Sequence, residues 1–115
     1  MFDIRKFNTI GAEEARAAFH AMHGGPLSGY LGGKDHGGLR VEALEHEFAG
    51  ALGVKYAVAV NSATSGLLVA CAAVGVGRDS TVVTTPYTMS ATAAAPAFLG
   101  ADVKFGDIEA ETFCL

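Results

Sequence analysis

Val41, Leu44, Phe48 and Leu52 recur at helical spacing, while Glu42, Glu45 and Glu47 occupy the other faces. That pattern predicts an amphipathic helix from Leu39 onward with one apolar stripe, closed at Gly53 by a left-handed cap. Upstream, residues 12–22 (AEEARAAFHAM) are good helix formers with Glu13 and Glu14 in the first turn, where the helix dipole favours acids. Gly24-Gly25-Pro26 stops that helix, and residues 24–38 then show no periodicity, as in an irregular loop. Downstream the pattern tightens. Tyr56–Val60 is a short apolar run of the kind a strand covered on both faces shows. The small residues Asn61–Gly66 follow, and Leu67–Val74 reads as a buried helix closed by Gly75. Thr81–Thr84 predicts a second strand closed by Pro86. Ser90–Leu99 predicts a helix that Pro96 shortens or kinks, and Asp102–Phe105 a third strand. Helix and strand alternate, so the expected class is α/β, a mostly parallel sheet flanked by helices and joined by right-handed crossovers.

Composition narrows the classes. Of 115 residues, 50% are hydrophobic and 17% charged, which suits one folded domain rather than a disordered segment. A net charge of −4 with a pI near 5.4 provides no basic footprint, so no nucleic acid and no anionic membrane surface is expected as partner. The longest apolar run, Leu67–Val74, has eight residues, against about 20 needed to span a bilayer. The opening MFDIRKFNTI has no apolar core of a secretory leader, and the expected location is cytoplasmic. Cys71 and Cys114 have neither disulfide-framework nor metal spacing. Seven of the fifteen glycines fall in Gly24–Gly38 without a three-residue period, which points to a loop and not to collagen.

The run from Tyr56 to Val74 is the most informative for chemistry. An expected strand delivers the chain to a turn of tiny residues, and a helix begins at once. The first amides of such a helix are unpaired, and Ser62, Thr64 and Ser65 add hydroxyls while Ala63 and Gly66 allow close approach to the backbone. This is a phosphate or carboxylate site in the making, although the same Ser and Thr residues also suit a plain helix cap. The usual nucleotide loops are absent. Gly75-Val76-Gly77 follows a helix and has Ser80 where the third glycine of a dinucleotide fingerprint belongs, and no Gly-Lys-Ser/Thr triplet occurs. His20 and His23 stand three apart on the first helix without a third ligand, so no metal site is expected, and neither they nor His36 and His46 receive a role. None of Lys6, Lys34, Lys55 and Lys104 has the apolar context that would prepare it for covalent work.

Three blocks in order resemble the DegT/StrS family of sugar aminotransferases: residues 53–67 (GVKYAVAVNSATSGL), residues 85–93 (TPYTMSATA), and residues 100–108 (GADVKFGDI) with Thr112-Phe113. Leu44-Glu45 and Phe48-Ala49 resemble the helix that precedes them in the family. The match covers residues 39–115, and residues 1–38 resemble the variable N-terminal arm with its glycine-rich loop. The resemblance implies the N-terminal part of a fold-type-I, aspartate-aminotransferase-like large domain that binds pyridoxal 5′-phosphate (PLP). It implies transamination of a nucleotide-linked keto-sugar with an amino acid donor, glutamate in most members, by a homodimer.

Carried over by position, Ala63, Thr64 and Ser65 match the loop that grips the cofactor phosphate. Met89 matches the residue covering the pyridine ring, where an aromatic is more usual. Ser28 and Tyr30, in the glycine loop, are candidates for substrate contact. No residue of this chain matches a catalytic one, because the family's Schiff-base lysine and pyridine-pairing acid fall beyond Leu115. The chain therefore resembles a piece of a longer enzyme, expected to be inactive alone and marginally stable or self-associating. Two rivals use the same fold: a PLP-dependent sugar dehydratase, with histidine in place of that lysine, and a non-catalytic sensing or dimerisation fragment.

Overall fold

The computed structural model describes residues 10–30 and 37–115. The assignments made above for the opening decapeptide up to residue 9, Lys6, Lys34 and His36 lie outside the described residues. The backbone forms two compact units, Met1–Ala59 and Val60–Leu115.

In the first unit, α1 (Ala12–His23) and α2 (Leu39–Leu52) stand where the pattern places them. At the start of α1 the Glu14 carboxylate accepts the Gly11 N–H at 2.7 Å, which also holds the Glu14 carboxyl below the ordinary glutamate range. Near its end, His23 Nδ1–H donates to the Phe19 carbonyl at 2.9 Å, and the two rings stack. Helix α2 closes on Gly53 at φ 66°, with Gly53 N–H bonding to Gly50 O and Val54 N–H to Ala49 O. Along its apolar stripe Val41 is half-buried, while Leu44, Phe48 and Leu52 are exposed. Between the helices, Ser28 and Gly37 form an isolated antiparallel bridge. The bridge requires glycine beside it. A Cβ on Gly37 would sit 2.6 Å from Val41 Cβ, and one on Gly38 would sit 2.9 Å from the Leu27 carbonyl oxygen.

The expected strand at 56–60 is not one. This stretch runs without a ladder partner among the described residues, and the Ala59 N–H donates instead to Glu45 Oε1 at 2.7 Å. Val58 is 74% exposed. A β-rich run becomes a strand only when a second edge meets its amides and carbonyls, and none of the described segments supplies one.

The second unit holds the packed part: α3 (Ala63–Ala73), β1 (Thr81–Thr84), α4 (Ala91–Phe98) and β2 (Asp102–Phe105). Strands β1 and β2 pair in parallel in the register Thr81↔Asp102 to Thr84↔Phe105, as the crossover through α4 demands. Helix α4 packs on α3 and on both strands, and its Ala95 and Pro96 are the most deeply buried residues of the unit, with Thr84 beside them in the buried class. Pro96 ends the helix two residues later, and the chain leaves through Gly100 at φ 87°. Helix α3 differs from its expected form in two ways. It starts at Ala63 instead of Leu67, because the Ser62 cap lets the small residues join the first turn. None of its residues is buried, although its sequence is apolar on every side.

Candidate functional site

Helix α3 opens on Ser62, whose backbone is extended and whose hydroxyl oxygen accepts the Ser65 amide at 3.1 Å. The Ser62 hydroxyl proton is donated to Ser65 Oγ at 3.1 Å, and the Ser65 hydroxyl donates to Asn61 Oδ1 at 2.6 Å. Ser65 therefore commits both its amide and its hydroxyl proton inside the turn. Gly66 N–H closes on the Ser62 carbonyl at 3.0 Å.

Three donors remain. The Ala63 amide, the Thr64 amide and the Thr64 hydroxyl have no hydrogen-bond partner among the described residues, and both residues are solvent-exposed. They stand at the positive end of an 11-residue helix with no acidic side chain in its first turn. Two amides and one hydroxyl at the start of a helix are a donor set that suits a phosphate, because an anion gains most from the dipole there. Ser62 and Ser65 shape the turn, and the donors left at Ala63 and Thr64 fit a phosphate-bearing group.

Met89 lies in the loop between β1 and α4. It is 77% exposed, and its carbonyl accepts the Thr92 N–H at 3.0 Å in the first turn of α4. Around it, Thr85 Oγ1 accepts the Tyr87 N–H at 3.0 Å, and the Thr88 and Thr92 hydroxyls are bonded at 3.1 Å. The loop leaves the C-terminal end of a parallel strand, the end where open α/β sheets bind their ligands. An exposed methionine on such a loop is available to a flat apolar ligand and is not spent on the core.

Ser28 and Tyr30 belong to the first unit. Ser28 is pinned by its bridge to Gly37 and lines an open cleft of about 480 Å³ shared with His20, Leu27, Leu39 and Arg40. Tyr30 is exposed and does not line it. Of the described lysines, Lys55 lies over the Tyr56 ring and Lys104 pairs with Asp102 at 2.9 Å. Among the described residues no three His, Cys, Asp or Glu side chains gather as a metal site would require, and no helix is long and apolar enough to cross a membrane. One contact at this end of the sheet had no signal in the sequence. The rings of Tyr87 and Phe113 stack with centroids 5.9 Å apart, an encounter set by the parallel register and not by any local spacing.

Comparison with known proteins adds a family. The profile of the DegT/DnrJ/EryC1/StrS aminotransferase family matches residues 30–115. The chain is 39% identical over 103 residues to the spore coat polysaccharide biosynthesis protein SpsC of Bacillus subtilis, covering 90% of this chain and 24% of that protein. It is 44% identical over 73 residues to a UDP-4-amino-4,6-dideoxy-N-acetyl-beta-L-altrosamine transaminase of Campylobacter jejuni, covering 64% of this chain and 19% of that one. Its backbone matches the X-ray structure of an aminotransferase from Psychrobacter cryohalolentis with a TM-score of 0.69 at 27% identity, over 89% of this chain and 24% of that one. The chain thus spans about a quarter of the length of such relatives, or less.

Proposed function

The chain belongs to the DegT/DnrJ/EryC1/StrS aminotransferase family, and on that premise we propose that it supplies part of the cofactor site of a PLP-dependent enzyme that aminates a nucleotide-linked keto-sugar. Its α/β architecture is consistent with the N-terminal portion of a fold-type-I large domain. The relatives named as acting on sugars support the substrate class. An amino acid donor such as glutamate, a homodimer and a cytoplasmic setting complete the reading. Within it, residues 1–38 are the N-terminal arm and glycine loop, and residues 39–115 are an incomplete large domain.

The single observation that carries this reading is the trio of unpartnered donors at Ala63 and Thr64. Both amides and the Thr64 hydroxyl bind the cofactor phosphate, and the α3 dipole strengthens each bond. Ser65 holds the turn by bonding Asn61 and Ser62, and so fixes where the two amides point. Met89 lies against the cofactor ring through its thioether, a sulfur–aromatic contact worth about 0.3–1.5 kcal/mol. PLP, when bound, supplies the electron sink that amino-group chemistry requires. In the arm, Ser28 and Tyr30 contact the sugar substrate. The segment binds and orients, and proton transfer is left to other parts of the enzyme.

Cofactor titration of the intact enzyme tests this. Thr64→Val deletes a charge-assisted hydrogen bond worth roughly 1.5–3 kcal/mol, so the PLP dissociation constant should rise at least tenfold. In the same titration Met89→Ala should weaken binding and Met89→Phe should preserve or tighten it. Unchanged affinity in Thr64→Val reduces Ser62–Gly66 to a helix cap.

A further inference from the structure

Phe113 is the one non-glycine residue with positive φ among the described residues, at 57°, in the left-handed region that bulky side chains rarely adopt. A ring of hydrogen bonds holds it there. Phe113 N–H donates to the Glu109 carbonyl and Glu109 N–H to the Cys114 carbonyl, both at 2.9 Å, while the Thr112 hydroxyl donates to Glu109 Oε2 at 2.8 Å. The segment carrying this turn is tied back to the sheet, since Gly106 N–H donates to the Thr84 carbonyl at 2.9 Å. A Cβ on Gly106 would lie 2.8 Å from Leu115 Cδ2, so the chain end folds closely over that glycine. The result of this unusual backbone is that the Phe113 ring stacks on Tyr87 at 5.9 Å and 29°.

Tyr87 is the middle of the loop that bears Met89. Local bonds also hold that loop: Thr85 Oγ1 accepts the Tyr87 amide, and Met89 and Thr88 are bonded to Thr92 in the first turn of α4. The stack joins its middle to a different connection, the one after β2. Parallel pairing brings the two connections out at the same end of the sheet. Both rings are largely exposed, so the pair adds little to the core.

We propose that Phe113 is a positioning residue for the cofactor ring, acting through its stack on Tyr87 to fix the loop that carries Met89. This rests on the reading of Met89 and Thr64 as cofactor contacts. Three substitutions in the intact enzyme separate ring, backbone and fold. Phe113→Leu keeps apolar bulk and loses the stack. Phe113→Gly suits the left-handed backbone better than phenylalanine and also loses it. Phe113→Tyr keeps the stack.

With PLP as the probe, Phe113→Leu and Phe113→Gly should each raise its dissociation constant about three- to tenfold, from the size of an aromatic pair. Both should also diminish the circular dichroism of the bound cofactor's absorption band, which a structural role alone does not move. Phe113→Tyr should restore both. Wild-type affinity and spectrum in the leucine and glycine variants overturn the proposal, provided Thr64→Val weakens binding in the same assay. If Thr64→Val also leaves PLP binding unchanged, the cofactor reading itself has failed, and this proposal falls with it.

Discussion

Tyr56–Val60 and Thr81–Thr84 are made of the same kind of side chains, yet only the second lies in a hydrogen-bonded ladder. Val82 and Val83 face Val103 and Lys104 of a parallel neighbour, and α4 covers the pair with Ala95 and Pro96. Tyr56 and Val58 lie open, and the amide of Ala59 goes to a carboxylate on α2. Helix faces show the same contrast. Leu44, Phe48 and Leu52 of the α2 stripe are exposed, whereas α4, short and interrupted by proline, is the best-packed element among the described residues. Packing follows from a partner within reach, and amphipathic regularity alone does not provide it.

The largest effect should come from placing one charge in each region of the 115-residue chain. Ala95→Asp buries an unpaired carboxylate against the parallel pair and should cost about 3–5 kcal/mol, whereas Val58→Asp should stay within about 0.5 kcal/mol. Urea unfolding measures both, and equal losses would break the contrast. A smaller effect sharpens it. Ser62 and Ser90 both precede helices, but only the Ser62 side chain accepts an amide. Ser62→Ala should destabilise by about 1 kcal/mol and Ser90→Ala by nothing measurable, again by urea unfolding.

The smallest effect concerns pH. A carboxylate fastens the start of α1, and a hydroxyl fastens that of α3. Glu14 ionises more readily folded than unfolded because it accepts the Gly11 N–H. Its contribution is complete above the ordinary glutamate range and is lost as pH falls through the lowered folded value. The exchange protection of the Gly11 amide, corrected for the intrinsic pH dependence, should fall over that acidic window while that of Ser65 does not. An equal loss of protection at the two would show that the carboxylate is not what holds α1.

Much of this was legible in the residues. The charge pattern and caps of α1 and α2 placed both helices, with Gly53 closing α2 in the left-handed region. Thr81–Thr84 and Asp102–Phe105 have the bounds their sequences predict, because β-branched runs closed by proline or opened by glycine leave little freedom. The residues at Ser62 suit either an anion site or a plain helix cap; the structure shows the cap, and which donors stay free beside it depends on how Asn61, Ser62 and Ser65 bond one another, a matter of rotamers that spacing does not encode. The 56–60 run failed because pairing is a relation between two segments and the pattern describes one. The Tyr87–Phe113 contact was invisible for the same reason.

The unit made of β1, α4 and β2 has a consequence in time. Its three elements are consecutive between Thr81 and Phe105, and its ladder borrows nothing from elsewhere in the chain. During synthesis, at about 5–20 residues per second, it becomes able to close as soon as Phe105 has cleared the ribosome. Tyr56–Val60, which has no ladder partner among the described residues, emerges before that unit can close. The order of emergence thus leaves an extended apolar stretch outside the ribosome before the parallel pair can form.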